Sequence, residues 1–528
     1  MLKQIKYKDF YISIILIVVS FCINFNVASN GVYPVDTFIH YDNGYRILLG
    51  ELPVKDYWIV HGFLIDFIQA IFFHIFGNNW YAYVIHSSLF NCIIVVSSYF
   101  IFKNLKIKKT HCIIISLSIS FLAYPISGTP FLDLHATYFS LISIYLLIFL
   151  INEEKPRYWF FVAFLLCAAF FSKQVPSIYT IMGISFFNFY LFLKYKKKEV
   201  FLYYIFGAIS FLLFLLVFLI YQEININDFI FQIFLFPQSI GTNRYSAHEL
   251  NFNNIFLDFK FIYLVLIPIV VINIYNLQKI KNYKDSKSFK FFIVLIIFAS
   301  TTIFHQIYTK NQIYIFFLIP FLTGFFLYFV EISKIKNKKK LMGIFLIICL
   351  AATTKYHIKF NIERKFHELS NTNIRDAVDA STLDKKFAGL FWISPHFDNP
   401  QKEIENLKNY LKLLKDDKKR KMIISEYNFF SSLMNEKLYA PSRTYDNISY
   451  PQKNSKYFFK YKNFLVKKIK NNSIKEIYIF RSSVLNDEDL NELIYNYISK
   501  SCFNRKNIDK YSTKLTILKC QELFNEKK

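Results

Sequence analysis

The sequence lacks the short motifs that support nucleotide-based or zinc-based catalysis. The chain of 528 residues contains no GxxxxGK[ST] phosphate loop, no HExxH zinc motif, no CxxC pair and no GxSxG nucleophile turn. It also shows no internal repeat, which many transporters carry as paired halves. These absences argue against an ATP-driven pump and a zinc protease, so any chemistry must come from polar groups of another kind.

Acidic residues and glycine are scarce. There are 37 Asp and Glu against 63 Lys and Arg, which gives a net charge of +26, and only 12 glycines. A strongly basic chain can indicate a nucleic-acid partner, but most of these lysines occupy short loops between apolar runs. The abundance of Ile, Lys, Asn, Phe and Tyr also indicates a general compositional bias. We therefore expect no nucleic-acid partner.

Long apolar runs are the dominant feature of the chain. Hydrophobic residues make up 54% and aromatic residues 20%, with a mean hydropathy of +0.28, which is typical of a polytopic α-helical membrane protein. Residues 63–76 are apolar but short and contain Asp66, so we expect a helix that lies at the membrane surface. About eleven membrane spans are predicted, at residues 10–27, 80–102, 111–124, 131–151, 158–171, 175–193, 201–221, 256–275, 291–307, 313–330 and 341–352.

The loops between these spans predict the orientation of the chain. Basic loops such as KNLKIKK and SKIKNKKK fall on alternate sides, and the positive-inside rule places them in the cytoplasm together with the N-terminus. The first span also resembles a signal peptide with a cleavage site near Val27–Ser29, although the membrane-anchor interpretation is favoured. In either case the next loop faces outward. We expect a multi-pass protein of the inner (cytoplasmic) membrane, with its C-terminal domain in the periplasm.

The character of the sequence changes near residue 355. The sequence predicts a transmembrane catalytic domain over residues 1–355 and a small α/β domain over residues 356–528. In the second part the sequence predicts strands at FAGLFWIS, KMIIS, IKEIYIF and KLTILKC. It predicts helices at PQKEIENLKNYLKLLKDD, YFFKYKNFLVKKIKNN and DEDLNELIYNYISK.

Two of the seven cysteines fall outside the apolar spans. Cys502 and Cys520 lie in the outward-facing domain, where a disulfide can persist. We therefore predict that they pair, and we expect the other five to be small buried side chains within or beside the spans.

The first outer loop carries an unusual concentration of acids, histidines and aromatic residues. Asp36 opens it, a GELP stretch at 50–53 with Asp56 and Tyr57 follows, and an apolar segment at 63–77 leads into the second span. The second outer loop, SGTPFLDLHATYFSL, places Asp133 just before the fourth span, and a basic SKQ turn lies at 172–174. In this order and topology the first 350 or so residues resemble the GT-C superfamily, polytopic glycosyltransferases that use sugars attached to polyprenyl-phosphate lipids. The double acid found in some branches of that superfamily is absent, because Asp36 is followed by Thr37.

The resemblance implies roles for individual residues. It implies inverting transfer without a nucleotide, with Asp36 as the catalytic base and Asp133 as a second functional acid. Cationic side chains on the outer face would stabilise the phosphate leaving group. The implied partners are a polyprenyl-phosphate-linked sugar donor, a glycan, lipid or protein acceptor, and membrane lipids. The expected substrate-binding residues are Lys173, Arg244, Asp42, Asp56, His61, Gln174, Lys310 and Gln312.

Each of these assignments has a structural alternative. The acids could cap helices, Lys173 could extend towards the interface, and the polar segment around Gln306 could serve helix packing. Some relatives use a divalent cation, and His40, Asp42, Asp133 and His135 could supply ligands, but no spacing compels a metal site.

Other functions also fit part of the pattern. A lipid-linked glycan transporter or flippase would need polar groups near mid-membrane, whereas the charges here gather at one face. A polysaccharide polymerase shares the lipid substrates, and a receptor with a membrane anchor would not need eleven spans.

Overall fold

The computed structural model describes residues 7–246, 251–309, 314–446, 448–520 and 523. Most of these residues are helical. The α-helices in chain order are α1 (Tyr7–Ala28), α2 (Pro34–Thr37), α3 (Ile39–Leu48), α4 (Leu64–Phe76), α5 (Trp80–Asn104), α6 (Lys109–Leu122), α7 (Leu132–Glu153), α8 (Trp159–Ser172), α9 (Gln174–Tyr195), α10 (Lys198–Tyr221), α11 (Ile226–Ile230), α12 (Phe236–Ser246), α13 (Lys260–Lys279), α14 (Lys287–Thr309), α15 (Leu318–Ile332), α16 (Lys338–His357), α17 (Pro400–Asp416), α18 (Phe430–Met434), α19 (Phe458–Asn471) and α20 (Asp487–Leu490).

The strands all lie in the C-terminal third of the chain. They are β1 (Val378–Asp379), β2 (Phe391–Trp392), β3 (Lys421–Ser425), β4 (Glu476–Phe480), β5 (Phe503–Asp509) and β6 (Ser512–Ile517). The first two form a short antiparallel pair. The other four form one sheet in the order β3-β4-β6-β5, in which β3 and β4 are parallel and the other two pairings are antiparallel.

The chain folds into two compact units, each assembled from separate stretches of sequence. The first, called the membrane unit here, contains residues 1–29, 84–218 and 244–366. The second, called the outer unit after its predicted location, contains residues 30–83, 219–243 and 367–528.

The helices of the membrane unit confirm a polytopic α-helical protein. Among the described residues, nine helices are long and apolar enough to cross a membrane, namely α1, α5, α6, α7, α9, α10, α13, α14 and α16, with α6 and α16 extended by adjoining turns. The shorter apolar helices α8 and α15 occupy the positions of two further predicted spans, and α4 that of the predicted surface helix. Helix α4 belongs to the outer unit. The buried faces of the membrane unit's helices share one apolar core, which includes Ile144, Phe298 and Phe325.

The outer unit contains the predicted C-terminal α/β fold. In α17, Asn399 caps the helix by accepting hydrogen bonds from the backbone N–H groups of Gln401 and Lys402. Ile404, Leu407 and Leu414 recur at helical spacing and are buried. The unit has its own core, to which Trp58 and Phe231 contribute alongside the side chains of β3 and β4.

Several C-terminal elements differ from those the sequence predicts. FAGLFWIS forms only the two residues of β2, and the helix predicted at 487–500 forms the short α20 followed by a π-helical turn at Asn491–Tyr495. Strand β5 was not predicted, because its sequence FNRKNID is mostly polar and exposed. It lies at the edge of the sheet and pairs with β6 alone, so little apolar periodicity is required of it.

The sequence predicts a single boundary near residue 355, whereas each unit of the structure combines three separate stretches of the chain. The outer unit contains residues 30–83 and 219–243 as well as the C-terminal segment. The first outer loop therefore folds with a partner that lies more than 300 residues further along the chain.

Candidate functional site

A buried cluster of charged side chains lies within the membrane unit. Asp133 accepts a hydrogen bond of 2.6 Å from Nζ of Lys173 through Oδ2, and its Oδ1 lies 3.2 Å from Nε2 of His305. The side chains of Asp133, Lys173 and His305 are 3%, 13% and 2% exposed. The structure thus brings together two of the residues predicted from the sequence and adds a third.

The ends of four helices position this cluster. Asp133 lies in the first turn of α7, where a carboxylate is favourably placed near the positive end of the helix dipole. Lys173 is the extended residue that both ends α8 and precedes α9, and His305 lies in the last two turns of α14. Consecutive antiparallel helices place these ends on one side of the unit.

The loop that leads into α7 is fixed from several directions. The carbonyl oxygen of Gly128 accepts hydrogen bonds from Asn24 at 3.0 Å and Ser87 at 2.6 Å. The fully buried guanidinium of Arg364 donates to the carbonyl of Ser127 at 3.0 Å. Gly128 has a positive φ, and an added Cβ would lie 2.8 Å from the Cα of Ala28, so a larger residue would disturb this approach.

Two further buried histidines lie in the membrane unit, His86 on α5 and His135 on α7. His135 forms a short hydrogen bond with the hydroxyl of Tyr124, and its Nε2 lies 3.0 Å from Nε2 of His86. All three side chains are buried. His135, which the sequence suggested as a possible metal ligand, therefore has protein partners on both ring nitrogens.

The cluster around Asp133 is suited to binding an anion. The Asp133 carboxylate neutralises one positive charge, so the group is neutral when His305 is neutral and carries +1 when His305 is protonated. An ammonium group has three donors, and Lys173 uses one of them on Asp133. Lys173 therefore has donors left for a phosphate oxygen while Asp133 holds its ammonium group in place.

Asp36 belongs to the outer unit, in the first turn of the short helix α2, and is half-buried. The neighbouring Tyr33 experiences its charge: burial raises the pKa of the Tyr33 hydroxyl to about 12, and the charges of Glu368, Asp36 and Glu426 act in the same direction. Asp36 is therefore one of three carboxylates whose charges act on Tyr33.

A second buried ionic network fixes the polypeptide near Asp36. Nδ1 of His40 lies 2.6 Å from Oδ1 of Asp66, and Arg443 donates to the same oxygen at 2.9 Å. Arg443 also donates to the carbonyl of Gly62 at 2.8 Å. None of the side chains of His40, Asp66 and Arg443 is more than 3% exposed. Burial lowers the pKa of His40 despite the adjacent carboxylate.

Asp42 is held by the C-terminal part of the same unit. Its carboxylate accepts hydrogen bonds from the hydroxyl of Ser431 at 3.1 Å and the backbone N–H of Ser432 at 3.2 Å. Burial raises the pKa of Asp42 to about 6. One turn further along α3, Arg46 pairs with Glu51 at 2.9 Å and donates to the carbonyl of Ala440 at 2.8 Å. These contacts give Asp42 a clear structural role.

The other residues predicted to bind substrate are more dispersed. Asp56 accepts from the backbone N–H of Leu52 at 2.8 Å, His61 is half-buried in the outer unit, and Gln174 is buried in the first turn of α9. Arg244 lies in α12, and Lys310 and Gln312 lie outside the described residues.

No group of three or more His, Cys, Asp or Glu side chains that could hold a metal ion occurs in the part of the chain that the structure describes. Cys502 and Cys520 are joined by a disulfide.

His305 and Arg443 were not identified from the sequence. His305 immediately precedes Gln306, in the polar segment that the sequence did mark as unusual, so a charged residue between two apolar runs was an available signal. Arg443 offered no such signal, because its partners His40 and Asp66 are separated from it by 403 and 377 residues.

Comparison with known proteins finds one family model and a similar solved structure. Residues 60–221 match the family model described as dolichyl-phosphate-mannose-protein mannosyltransferase. No curated protein matches the chain. A solved structure, that of ArnT from Cupriavidus metallidurans bound to undecaprenyl phosphate, aligns with 9% identity and a TM-score of 0.49 over 95% of this chain and 97% of that one. The segment matched by the family model contains both Asp133 and Lys173.

Proposed function

We propose that this chain is a polytopic membrane glycosyltransferase of the GT-C type, which transfers a sugar from a polyprenyl-phosphate donor to an envelope glycan, glycolipid or protein acceptor, with inversion at the anomeric carbon. The proposed location is the outer face of the inner membrane, which follows from the basic loops assigned to the cytoplasm. The observation that carries the proposal is the buried Asp133–Lys173–His305 cluster within the membrane unit.

Buried charges are costly in a membrane protein and usually mark a functional site. The Asp133 cluster combines a lysine and a histidine on one carboxylate, and both lie at the ends of membrane-unit helices. The family's chemistry supplies a reason for them, because a lipid phosphate departs with negative charge. We assign Lys173 and His305 to the stabilisation of that charge, and Asp133 to the positioning of both.

The reaction requires one proton acceptor. The acceptor hydroxyl oxygen attacks the anomeric carbon, the bond from that carbon to the phosphate oxygen breaks, and polyprenyl phosphate leaves with the electron pair. The hydroxyl proton passes to a base, and the family resemblance assigns this role to Asp36. Asp36 is half-buried in the first turn of α2, and a carboxylate can act as a general base towards an acceptor hydroxyl.

The test compares Asp36→Asn and Asp133→Asn with a matched variant, Asp9→Asn. Asp9 is also a buried carboxylate of the membrane unit, bound to Lys103 at 2.6 Å and Lys109 at 3.1 Å. Lys109 begins α6, at the opposite end of that helix from the loop that leads into α7. The variants are expressed at equal membrane levels in a strain that lacks the gene, and envelope glycans and glycolipids are analysed by mass spectrometry.

We expect a sugar-sized mass with wild type and Asp9→Asn that is absent or at least about a hundredfold reduced with Asp36→Asn and Asp133→Asn. Equal products from all four proteins, all differing from the deletion strain, would refute the assigned roles and favour a transporter. If Asp133→Asn alone retained full product, the cluster would be structural.

A further inference from the structure

A basic cavity lies at the end of the membrane unit that is remote from Asp133. It has a volume of about 480 Å³ and is lined in part by the last turn of α7, the end of α9 and the starts of α10 and α14. Because α7 contains 22 residues, this end lies roughly 30 Å from Asp133. The lysines that line the cavity are Lys196, Lys197, Lys198, Lys287 and Lys290.

The positive charge of this cavity exceeds the negative charge available to it. Two carboxylates line the cavity beside its five lysines, namely Glu199 and Glu154, which pairs with Lys287 at 3.4 Å. The nearby Asp285 pairs with Lys194 at 2.8 Å. For Lys196, Lys197 and Lys198 no carboxylate oxygen lies within 4 Å among the residues that the structure describes. Two long helices also begin here, at Lys198 and Lys287, and each directs the positive end of its dipole towards this region.

Two of the lysines are partly withdrawn from solvent. Lys197 and Lys290 are half-buried, and Nζ of Lys290 lies 4.2 Å from the ring centre of Tyr195. The charges of Lys197 and Lys194 oppose that of Lys290, whereas those of Glu154 and Asp285 favour it. Like charges held together in a concave, partly desolvated setting favour a bound anion.

An apolar groove adjoins this cavity on the other side of Leu150, which lines both. It has a volume of about 450 Å³ and is lined mainly by α5 and α7, with Phe100, Leu146 and Phe149 in its wall and Lys155 beside it. Phe100, Leu146 and Phe149 belong to helices long and apolar enough to span a membrane. The groove therefore offers a surface for an acyl chain next to a site for a negative headgroup.

We propose that the basic cavity and the adjoining groove together bind an anionic glycerophospholipid, with the phosphate headgroup among Lys196–Lys198 and Lys290 and one acyl chain against Leu146 and Leu150. Basic pockets between membrane helices are known to bind anionic headgroups. The site is separate from the proposed catalytic cluster, and its occupancy does not depend on the identity of the sugar or the acceptor.

The experiment measures lipid retention by the purified full-length protein. Native mass spectrometry compares phosphatidylglycerol with phosphatidylcholine of identical acyl chains. The test variant is Lys196→Gln/Lys197→Gln/Lys198→Gln. The control variant is Lys279→Gln/Lys281→Gln/Lys284→Gln, which replaces three exposed lysines near the connection between α13 and α14, outside the cavity. Both variants lose the same charge. Leu146→Trp fills the groove, and glycerol phosphate serves as a soluble competitor.

We expect wild type to retain phosphatidylglycerol at least about tenfold better than phosphatidylcholine, and the first variant to lose about tenfold while the control stays near wild type. Leu146→Trp should also weaken retention. Equal retention of the two lipids, or equal losses in the two triple variants, would overturn the proposal. Complete displacement by glycerol phosphate with no effect of Leu146→Trp would assign the cavity to a free phosphate compound instead of a lipid.

Discussion

Replacement of Arg443 by methionine tests the buried network of the outer unit directly. Arg443 is 3% exposed and donates to Asp66, which is fully buried, and to the carbonyl of Gly62. Methionine fills much of the same space but removes the charge, so Asp66 would remain buried with only the neutral His40 beside it. Breaking a buried pair in this way costs about 3–5 kcal/mol.

The loss can be measured by urea unfolding of the protein in detergent. Three of the four tryptophans, Trp58, Trp80 and Trp392, belong to the outer unit, so tryptophan fluorescence reports mainly on that unit. With a urea dependence of about 3 kcal/mol per molar, the midpoint of Arg443→Met should fall by roughly 1 M or more. The double variant Arg443→Met/Asp66→Asn should recover part of this loss, because it removes the isolated charge.

Arg505→Met is the matched control. Arg505 pairs with Asp487 at 2.5 Å, but both side chains are well exposed, and exposed ion pairs contribute little. Its midpoint should stay close to that of wild type. The reasoning is refuted if Arg443→Met shifts the midpoint no further than Arg505→Met, or if the double variant is less stable than Arg443→Met alone.

Three further outcomes follow from the outer unit. The folded protein binds a proton on Asp42 more tightly than the unfolded chain does. The contribution of Asp42 to the free energy of unfolding should therefore fall as the pH rises from 3.8 to about 6. In Asp42→Asn, the urea midpoint should depend less on pH across that range. Reduction of the Cys502–Cys520 disulfide, which joins residues 18 apart, should cost about 3 kcal/mol in the same assay, whereas an unchanged midpoint would contradict the linkage. Phe38→Ala should cost about 3–5 kcal/mol, because Phe38 is fully buried and its ring centre lies 5.0 Å from that of Phe429. A loss below about 1 kcal/mol would show that neighbouring side chains fill the cavity.

The membrane helices could be predicted closely because lipid imposes a simple rule. A span needs a long apolar run, and the helices α5 and α10 lie within a few residues of their predicted positions. Errors occurred where the rule weakens. The predicted span 256–275 is displaced by about four residues from α13, whose first turn includes Lys260. The edge strand β5 has no apolar pattern at all.

The candidate site could be predicted only in part, for a related reason. Acids next to membrane spans are unusual enough to be noticed, which identified Asp133, and a lysine at a helix junction identified Lys173. Their mutual contact could not be predicted, because 40 residues and two membrane helices separate them in the chain. Tertiary packing determines which residue pairs with a buried charge, and the neighbouring sequence does not indicate that partner.

The C-terminal segment is more than the added domain that the sequence predicts after the last membrane span. Residues 30–83 fold with it as one unit. Gly31 donates its backbone N–H to Phe391, and Arg46 donates to Ala440 across 394 residues of sequence. The loop that carries Asp36 therefore cannot reach its final conformation until the C-terminal segment has been synthesised. If Asp36 is the catalytic base, the C-terminal segment is part of the structure that positions it, and contacts such as those of Arg443 and Ser432 bear on catalysis without approaching the substrate.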